Sequence, residues 1–169
     1  MLRLAHRAVE AAERDLGVPL DYLRHIADAS LTAFVKFGLF TPLSKHRRHL
    51  PAAPYHLARI VATQHEDCGT CVQIEVTSAL RAGVPETLVR AVVEGREDDL
   101  PAELAEVTRY ARSVVAAAES PGLRDTLRER YGEAGLVELA LGIASARVFP
   151  TTKRALGYAQ ACSLVPISY

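Results

Sequence analysis

Apolar residues recur every three to four positions along nearly the whole chain, which is the period of an amphipathic α-helix. No run alternates apolar and polar residues strictly enough to predict a β-strand. The pattern predicts a first helix over residues 2–16 that Gly17 ends, and a second over 19–37, followed by breaks at Gly38 and Pro42. The fold class that follows is all-α.

A polar connection over residues 44–54 separates these two helices from the rest of the chain. Helix 133–149 is apolar on almost every side and is expected to be the most buried. We expect Ser120 and Pro121 to begin the preceding helix, 120–132, and Pro150 to end helix 133–149. Thr151 or Thr152 is expected to cap the last helix. Beyond the connection, the predicted helices cover residues 54–66, 68–83, 85–95, 100–120, 120–132, 133–149 and 151–165.

The length of 169 residues suits one compact domain with a sizeable core. The connection marks a seam within it. We predict an N-terminal helical extension over residues 1–50, which packs on the core or at an oligomer interface, and a core over residues 51–169. Phe34, Phe37 and Phe40 exceed what a two-helix extension buries alone, which favours self-association.

Charge and composition exclude several classes of partner. Twenty basic residues balance twenty acidic ones, so nothing in the charge favours nucleic acid or an anionic membrane. The longest apolar run, residues 29–43, is shorter than the roughly 20 residues that span a bilayer. Three cysteines in a chain whose first residues lack a secretory pattern favour a reducing compartment, and the expected location is the cytoplasm.

The residues with the most reactive side chains concentrate in TQHEDCGTCVQIEV, residues 63–76. Cys68 and Cys71 are two residues apart, so one helical turn brings their sulfurs within reach of a disulfide. The first turn of a helix favours the thiolate, which is the reactive species, whereas the acidic neighbours Glu66 and Asp67 raise a thiol pKa. The spacing predicts a redox-active dithiol.

A proton relay for this dithiol is available from a carboxylate and an imidazole. Glu75 stands four residues after Cys71, on the same helix face. His56 precedes Cys68 by twelve residues and approaches that face if the two helices pack antiparallel. We expect Glu75 to contact Cys71 and His56 to support Glu75. His65 is a possible auxiliary residue at the preceding helix end.

Two other interpretations of the cysteines remain open. Free cysteines are often small buried apolar residues, and this is the interpretation we favour for Cys162. A metal site would use His65, Cys68, Cys71 and Glu75, but structural zinc sites usually need a second ligand pair farther along the chain, so none is predicted.

The motif resembles the alkylhydroperoxidase D-like group of the carboxymuconolactone decarboxylase superfamily. Redox members of that group carry a Glu, then about eleven residues, then C-x-x-C-x-x-x-H. Cys68 and Cys71 match its cysteines, and the similarity extends over roughly residues 51–160. This chain departs from the pattern because His56 stands at the Glu position and Glu75 at the His position.

The resemblance implies a helical bundle and a thiol-dependent reduction of a peroxide or disulfide through a Cys68–Cys71 disulfide. It implies Cys71 as the peroxide-reactive thiol and Cys68 as its resolving partner, whereas the helix dipole favours Cys68 as the thiol of lower pKa. A small-molecule substrate, a thiol electron donor, a homo-oligomer and no cofactor are expected. The alternatives are a carboxymuconolactone decarboxylase-like enzyme acting on a small acid or lactone, and a non-catalytic redox-sensing or assembly module.

Overall fold

The computed structural model describes residues 1–161 and 165–169, and within these residues the regular structure is entirely helical. The all-α prediction is confirmed. The elements are α1 (Leu2–Leu16), α2 (Asp21–Ala29), α3 (Leu31–Gly38), α4 (Phe40–Ser44), α5 (Ala52–His65), α6 (Gly69–Arg81), α7 (Glu86–Val93), a 3₁₀ turn (Glu97–Asp99), α8 (Ala102–Val115) and α9 (Pro121–Ala155).

The N-terminal region has a helix break that its pattern does not predict. Helix α1 ends as expected, with Gly17 in the left-handed conformation at φ +69°. The predicted helix over 19–37 is wrong, because Ser30 is extended, at φ −161° and ψ 103°, and separates α2 from α3. The Ser30 hydroxyl accepts a hydrogen bond from the Ala33 amide at 3.2 Å and so caps α3. Pro42 does not end the helical structure here, since it lies in the first turn of α4, where its missing N–H is tolerated.

Helix α9 breaks where a glycine predicts it and continues where a proline predicts an end. Gly132 interrupts it at φ +71°. Pro150, expected to end a helix, lies inside α9, which runs on to Ala155. The hydroxyls of Thr151 and Thr152 donate to carbonyls one turn earlier, at 2.6 and 2.7 Å, and these bonds tie the residues after the proline to the preceding turn.

The predicted last helix over 151–165 is therefore wrong beyond residue 155, because residues 151–155 continue α9 and residues 156–161 are not helical. Cys162, predicted to pack in the core, lies outside the described residues. Pro121 begins α9 as expected, but the Ser120 side chain does not cap it and instead hydrogen-bonds the Ser113 hydroxyl.

Helix α5 lies at the centre of the packing, against α6, α8 and α9. Nine of its fourteen residues are buried, so α5 takes the place that was expected for 133–149 as the most buried helix. The main apolar cluster extends from Leu50 to Ala146, and a smaller one is built by Val9, Val18, Leu20 and Tyr22. The division of the chain at residue 50 stays a prediction.

The aromatic residues of α3 and α4 pack inside the molecule. The rings of Phe37 and Phe40 lie edge-on to Phe149, with centroids 5.6 and 5.8 Å away. The large apolar side chains that remain exposed here are Val35 of α3, Leu39 between the two helices and Leu43 of α4, at 54%, 71% and 44%. They are four residues apart in sequence, and self-association through them is a proposal taken up below.

By length and composition, α9 is the one helix among the described residues that could cross a membrane. Half of its most apolar stretch is buried inside the molecule, as expected for the core helix of a globular protein.

Candidate functional site

The two cysteines meet at the start of α6. Cys68 is the extended residue that precedes the helix, and Cys71 lies in its first turn. Both are free thiols and almost fully buried, with 0% and 5% of their surfaces exposed. Their sulfurs are 2.9 Å apart, longer than the roughly 2.0 Å of a disulfide bond but within contact distance. The predicted proximity of the two sulfurs is present in the folded chain.

The surroundings of the two thiols favour opposite protonation states. A hydrogen bond with Cys71 outweighs burial and, with the Thr70 hydroxyl and the charge of Lys153, lowers the pKa of Cys68 to about 5. The same contact with Cys68, together with burial, raises the pKa of Cys71 above its ordinary value. The negative charge of the reduced pair therefore belongs on Cys68, as the helix-dipole argument expected.

Lys153 supplies a cation that sequence reasoning missed. It projects from the last turns of α9 and is 3% exposed. Its Nζ donates to the Thr70 Oγ1 at 2.8 Å, and that oxygen is 3.6 Å from the Cys68 sulfur. Nζ also lies 5.2 Å from the centre of the Tyr22 ring. No local pattern indicates Lys153, because its approach depends on α9 continuing past Pro150.

Glu75 is buried, but its hydrogen bonds come from a residue that the sequence did not single out. Arg59 of α5 donates through Nε and Nη2 to the two carboxylate oxygens of Glu75, at 2.8 and 2.7 Å. This fork is the strong bidentate geometry of an arginine–carboxylate pair. The expected contact between Glu75 and Cys71 is thus replaced by an ion pair, with both side chains below 10% exposed.

Arg59 belongs to a larger polar network that ties four segments together. Its Nη1 donates to the Ser44 carbonyl at 2.7 Å and to the Ser145 Oγ at 2.9 Å, and the Tyr55 hydroxyl also donates to the Ser44 carbonyl at 2.8 Å. Burial disfavours the charge of Arg59, but the attraction of Glu75 outweighs it and raises the arginine pKa. An arginine inside the apolar run LARIVA was the available signal, because a buried cation needs a buried partner.

His56 is partly buried beside this network, without a hydrogen bond to Glu75. Its Nδ1 is buried and has no partner among the described residues, and its ring lies edge-on to Tyr55 at 5.2 Å. Burial lowers the pKa of His56 to about 4, although the charge of Glu75 works in the opposite direction. His56 is thus a neutral imidazole near neutral pH, which accepts a proton poorly.

His65 is the last residue of α5 and is exposed. Its neighbour Glu66 pairs with Arg147, with Oε1 2.6 Å from Nε. Within residues 1–161 and 165–169, no group of three or more His, Cys, Asp or Glu side chains could hold a metal ion. The His65–Cys68–Cys71–Glu75 array is therefore not assembled as a set of ligands.

The C-terminal segment crosses the start of α6 between the two cysteines. The Gly69 amide donates to the Gln160 carbonyl at 3.0 Å. A Cβ added at Gly69 would lie 2.5 Å from the Val165 Cβ, so only glycine fits without displacing that segment. Farther along, Ser168 and Gln73 exchange two hydrogen bonds, of 2.8 and 2.9 Å. These contacts help to keep the thiols buried.

A cleft of about 200 Å³ opens beside Thr70 and Lys153. Its other walls come from both ends of the chain, with Pro19, Asp21 and Tyr22 on one side and residues 157–160 on the other. The cysteines do not line it, but Thr70 is both a wall residue and a neighbour of the Cys68 sulfur. A small molecule in this cleft would lie against the residue that contacts the Cys68 sulfur.

Comparisons with known proteins found no relative: no protein-family model matches the sequence, and no match was found among curated proteins or solved structures. The similarity of the cysteine motif to the alkylhydroperoxidase D-like group stays a resemblance.

Proposed function

We propose that the protein is a thiol-dependent oxidoreductase that reduces a small hydroperoxide or disulfide through its Cys68–Cys71 pair. The observation that carries the proposal is the contact of two free thiols, 2.9 Å apart, at the N-terminus of α6. Helix N-termini favour thiolates, and the pair needs little movement to close into a disulfide. The cytoplasm, which keeps thiols reduced, remains the proposed location.

The reaction balances as follows for a hydroperoxide. A thiolate attacks the terminal peroxide oxygen and the O–O bond breaks, so that the sulfur becomes a sulfenic acid. The departing alkoxide takes a proton from solvent and leaves as the alcohol. The second thiol then displaces water and forms the Cys68–Cys71 disulfide. Two electrons and two protons from an external thiol donor regenerate the dithiol and leave the donor as its own disulfide.

The roles of the other candidate residues differ from those of a simple relay. Glu75 is held by Arg59 at both oxygens, and His56 has a lowered pKa. Neither is arranged to accept a thiol proton in the reduced protein. We therefore propose that Glu75 and Arg59 support α6 as positioning residues, and that the attacking thiolate needs no histidine base.

The test is hydroperoxide consumption with dithiothreitol as the electron donor. The wild-type protein should turn over, and the Cys68→Ser, Cys71→Ser double variant should consume peroxide no faster than the buffer with donor. A Cys162→Ser variant, which removes the third thiol only, is the matched control and should retain activity. Equal rates for the wild type and the double variant would end the proposal.

A redox sensor is the second candidate, because Cys68 is fully buried and the Val165 segment lies over Gly69. A sensor would form the disulfide reversibly with peroxide but would not turn over with the donor. The same assay, with the thiols counted before and after, separates the two.

A further inference from the structure

Lys153 is a cation that lies buried near the C-terminal end of α9. It is 3% exposed, and within the described residues no carboxylate forms an ion pair with it. A buried ammonium without a nearby anion is strongly unfavourable, and such groups ordinarily pair or lose their charge. The contacts of Nζ are the Thr70 hydroxyl and the face of the Tyr22 ring. Neither carries a negative charge, so the anion that would balance Lys153 has to come from elsewhere.

The hydrogen bonds lead from Lys153 to a sulfur. An ammonium has only donors, so in the contact of 2.8 Å the Thr70 oxygen must accept. This leaves the single Thr70 hydrogen free to point at the Cys68 sulfur, 3.6 Å away. With that hydrogen on the sulfur, the hydrogen bonds run from Nζ to Oγ1 to sulfur and end on an atom that can become an anion.

We propose that Lys153 is the counter-cation of a Cys68 thiolate and acts on it through the Thr70 hydroxyl. The Cys68 thiol loses its proton to solvent, and the resulting anion supplies the charge that buried Lys153 otherwise lacks. The inference rests on the dithiol chemistry proposed above, and it assigns the resting thiolate to Cys68. The resemblance implied Cys71 as the reactive thiol instead.

Other charged groups around the sulfurs do not replace this pairing. Cys71, in the first turn of α6, contacts the Cys68 sulfur, and this contact together with burial raises the pKa of Cys71, so that it stays protonated. Glu75 acts on Cys71 as a like charge but is already neutralised by Arg59. From α2, Tyr22 faces the thiols as a neutral phenol, since burial and then the two cysteines raise its pKa. Asp21 lies in the cleft wall, and its carboxylate pairs with Arg24.

The assignment has a consequence for the redox equilibrium. A group that stabilises the thiolate stabilises the reduced protein, so it makes the disulfide more oxidising. Removing Lys153 should shift the equilibrium with a glutathione buffer toward the disulfide. A purely structural role for Lys153 would not move this equilibrium in a fixed direction.

The test is a pH titration of the thiolate by its far-ultraviolet absorbance, in a Cys162→Ser background so that only Cys68 and Cys71 contribute. Lys153→Met and Thr70→Val should each raise the midpoint by about one pH unit, a tenfold change in the thiolate equilibrium. Lys153→Arg keeps the positive charge, so its midpoint should stay close to that of the wild type. Thr108→Val, which removes an equally buried hydroxyl that bonds only within α8, is the matched control and should leave the midpoint unchanged.

An unchanged midpoint in folded Lys153→Met would overturn the inference, as would an early-titrating thiolate that survives Cys68→Ser. If Lys153→Met does not fold, the isosteric Thr70→Val decides alone. The titration uses no peroxide, so it separates this inference from the proposed function. If the protein shows no peroxide turnover but the variants show the raised midpoints, only the proposed function is refuted.

Discussion

The buried Arg59–Glu75 pair yields a quantitative prediction for stability. Glu75→Gln removes the charge that balances Arg59 and replaces one acceptor oxygen with an amide that faces the guanidinium donors. Removing one partner of a buried ion pair costs about 3–5 kcal/mol, because the remaining charge stays buried. Arg59 keeps its hydrogen bonds to the Ser44 carbonyl and the Ser145 hydroxyl, so we expect the low end of this range, about 3 kcal/mol.

The assay is urea unfolding followed by circular dichroism, with Arg59→Met and the double variant completing a mutant cycle. We expect the double variant to lose less stability than the sum of the single ones, by about 2 kcal/mol or more. Glu86→Gln is the matched control, since Glu86 forms an exposed ion pair with Arg90 and should cost only about 0.3–0.5 kcal/mol. A loss at Glu75 as small as that at Glu86 would refute the buried-pair reasoning.

Three further predictions concern His56, Gly69 and Leu39. The pKa of His56 is about 4 in the folded protein and about 6.5 in the unfolded chain, so its stabilising contribution is present above pH 6.5 and is lost as the pH falls toward 4. In urea unfolding, His56→Gln should lose less stability than the wild type over that pH window, and an identical pH profile would contradict this. Gly69→Ala should displace the Val165 segment and raise the reactivity of the two thiols toward a disulfide reagent several-fold, whereas Gly122→Ala, with open space around it, should not. Equal reactivity in the two variants would show that the Val165 segment does not cover the thiols. In sedimentation velocity, Leu39→Lys should shift a homo-oligomer toward monomer, whereas Leu4→Lys on α1, where Leu4 is comparably exposed, should not. An unchanged distribution of species in Leu39→Lys would exclude the α3–α4 surface as the oligomer interface.

Local chemistry made much of the architecture predictable. Helix periodicity and terminal glycines located α1 and the break at Gly132, because these signals act within one or two turns. Pro150 misled the prediction, since threonine hydroxyls satisfy carbonyls of the preceding turn. The split at Ser30 was missed because a serine inside a helical pattern signals a cap only weakly.

The candidate site divides in the same way. The closeness of Cys68 and Cys71 follows from spacing within one turn of helix. Arg59 and Lys153 reach α6 from α5 and α9, and pairing across helices depends on tertiary geometry that a single sequence does not encode locally. For the same reason, the prediction of a relay from His56 to Glu75 missed Arg59, which pairs with Glu75 instead.

The proposed function requires that Cys68 and Cys71 form a disulfide when a peroxide is reduced. The most direct measurement adds one equivalent of tert-butyl hydroperoxide to the fully reduced Cys162→Ser protein and follows the intact mass and the free thiols. We expect one molecule of alcohol per chain, the loss of two thiols and two hydrogen atoms, and a Cys68–Cys71 disulfide in the peptide map. If both thiols stay free and the peroxide is not consumed, the proposed function is contradicted.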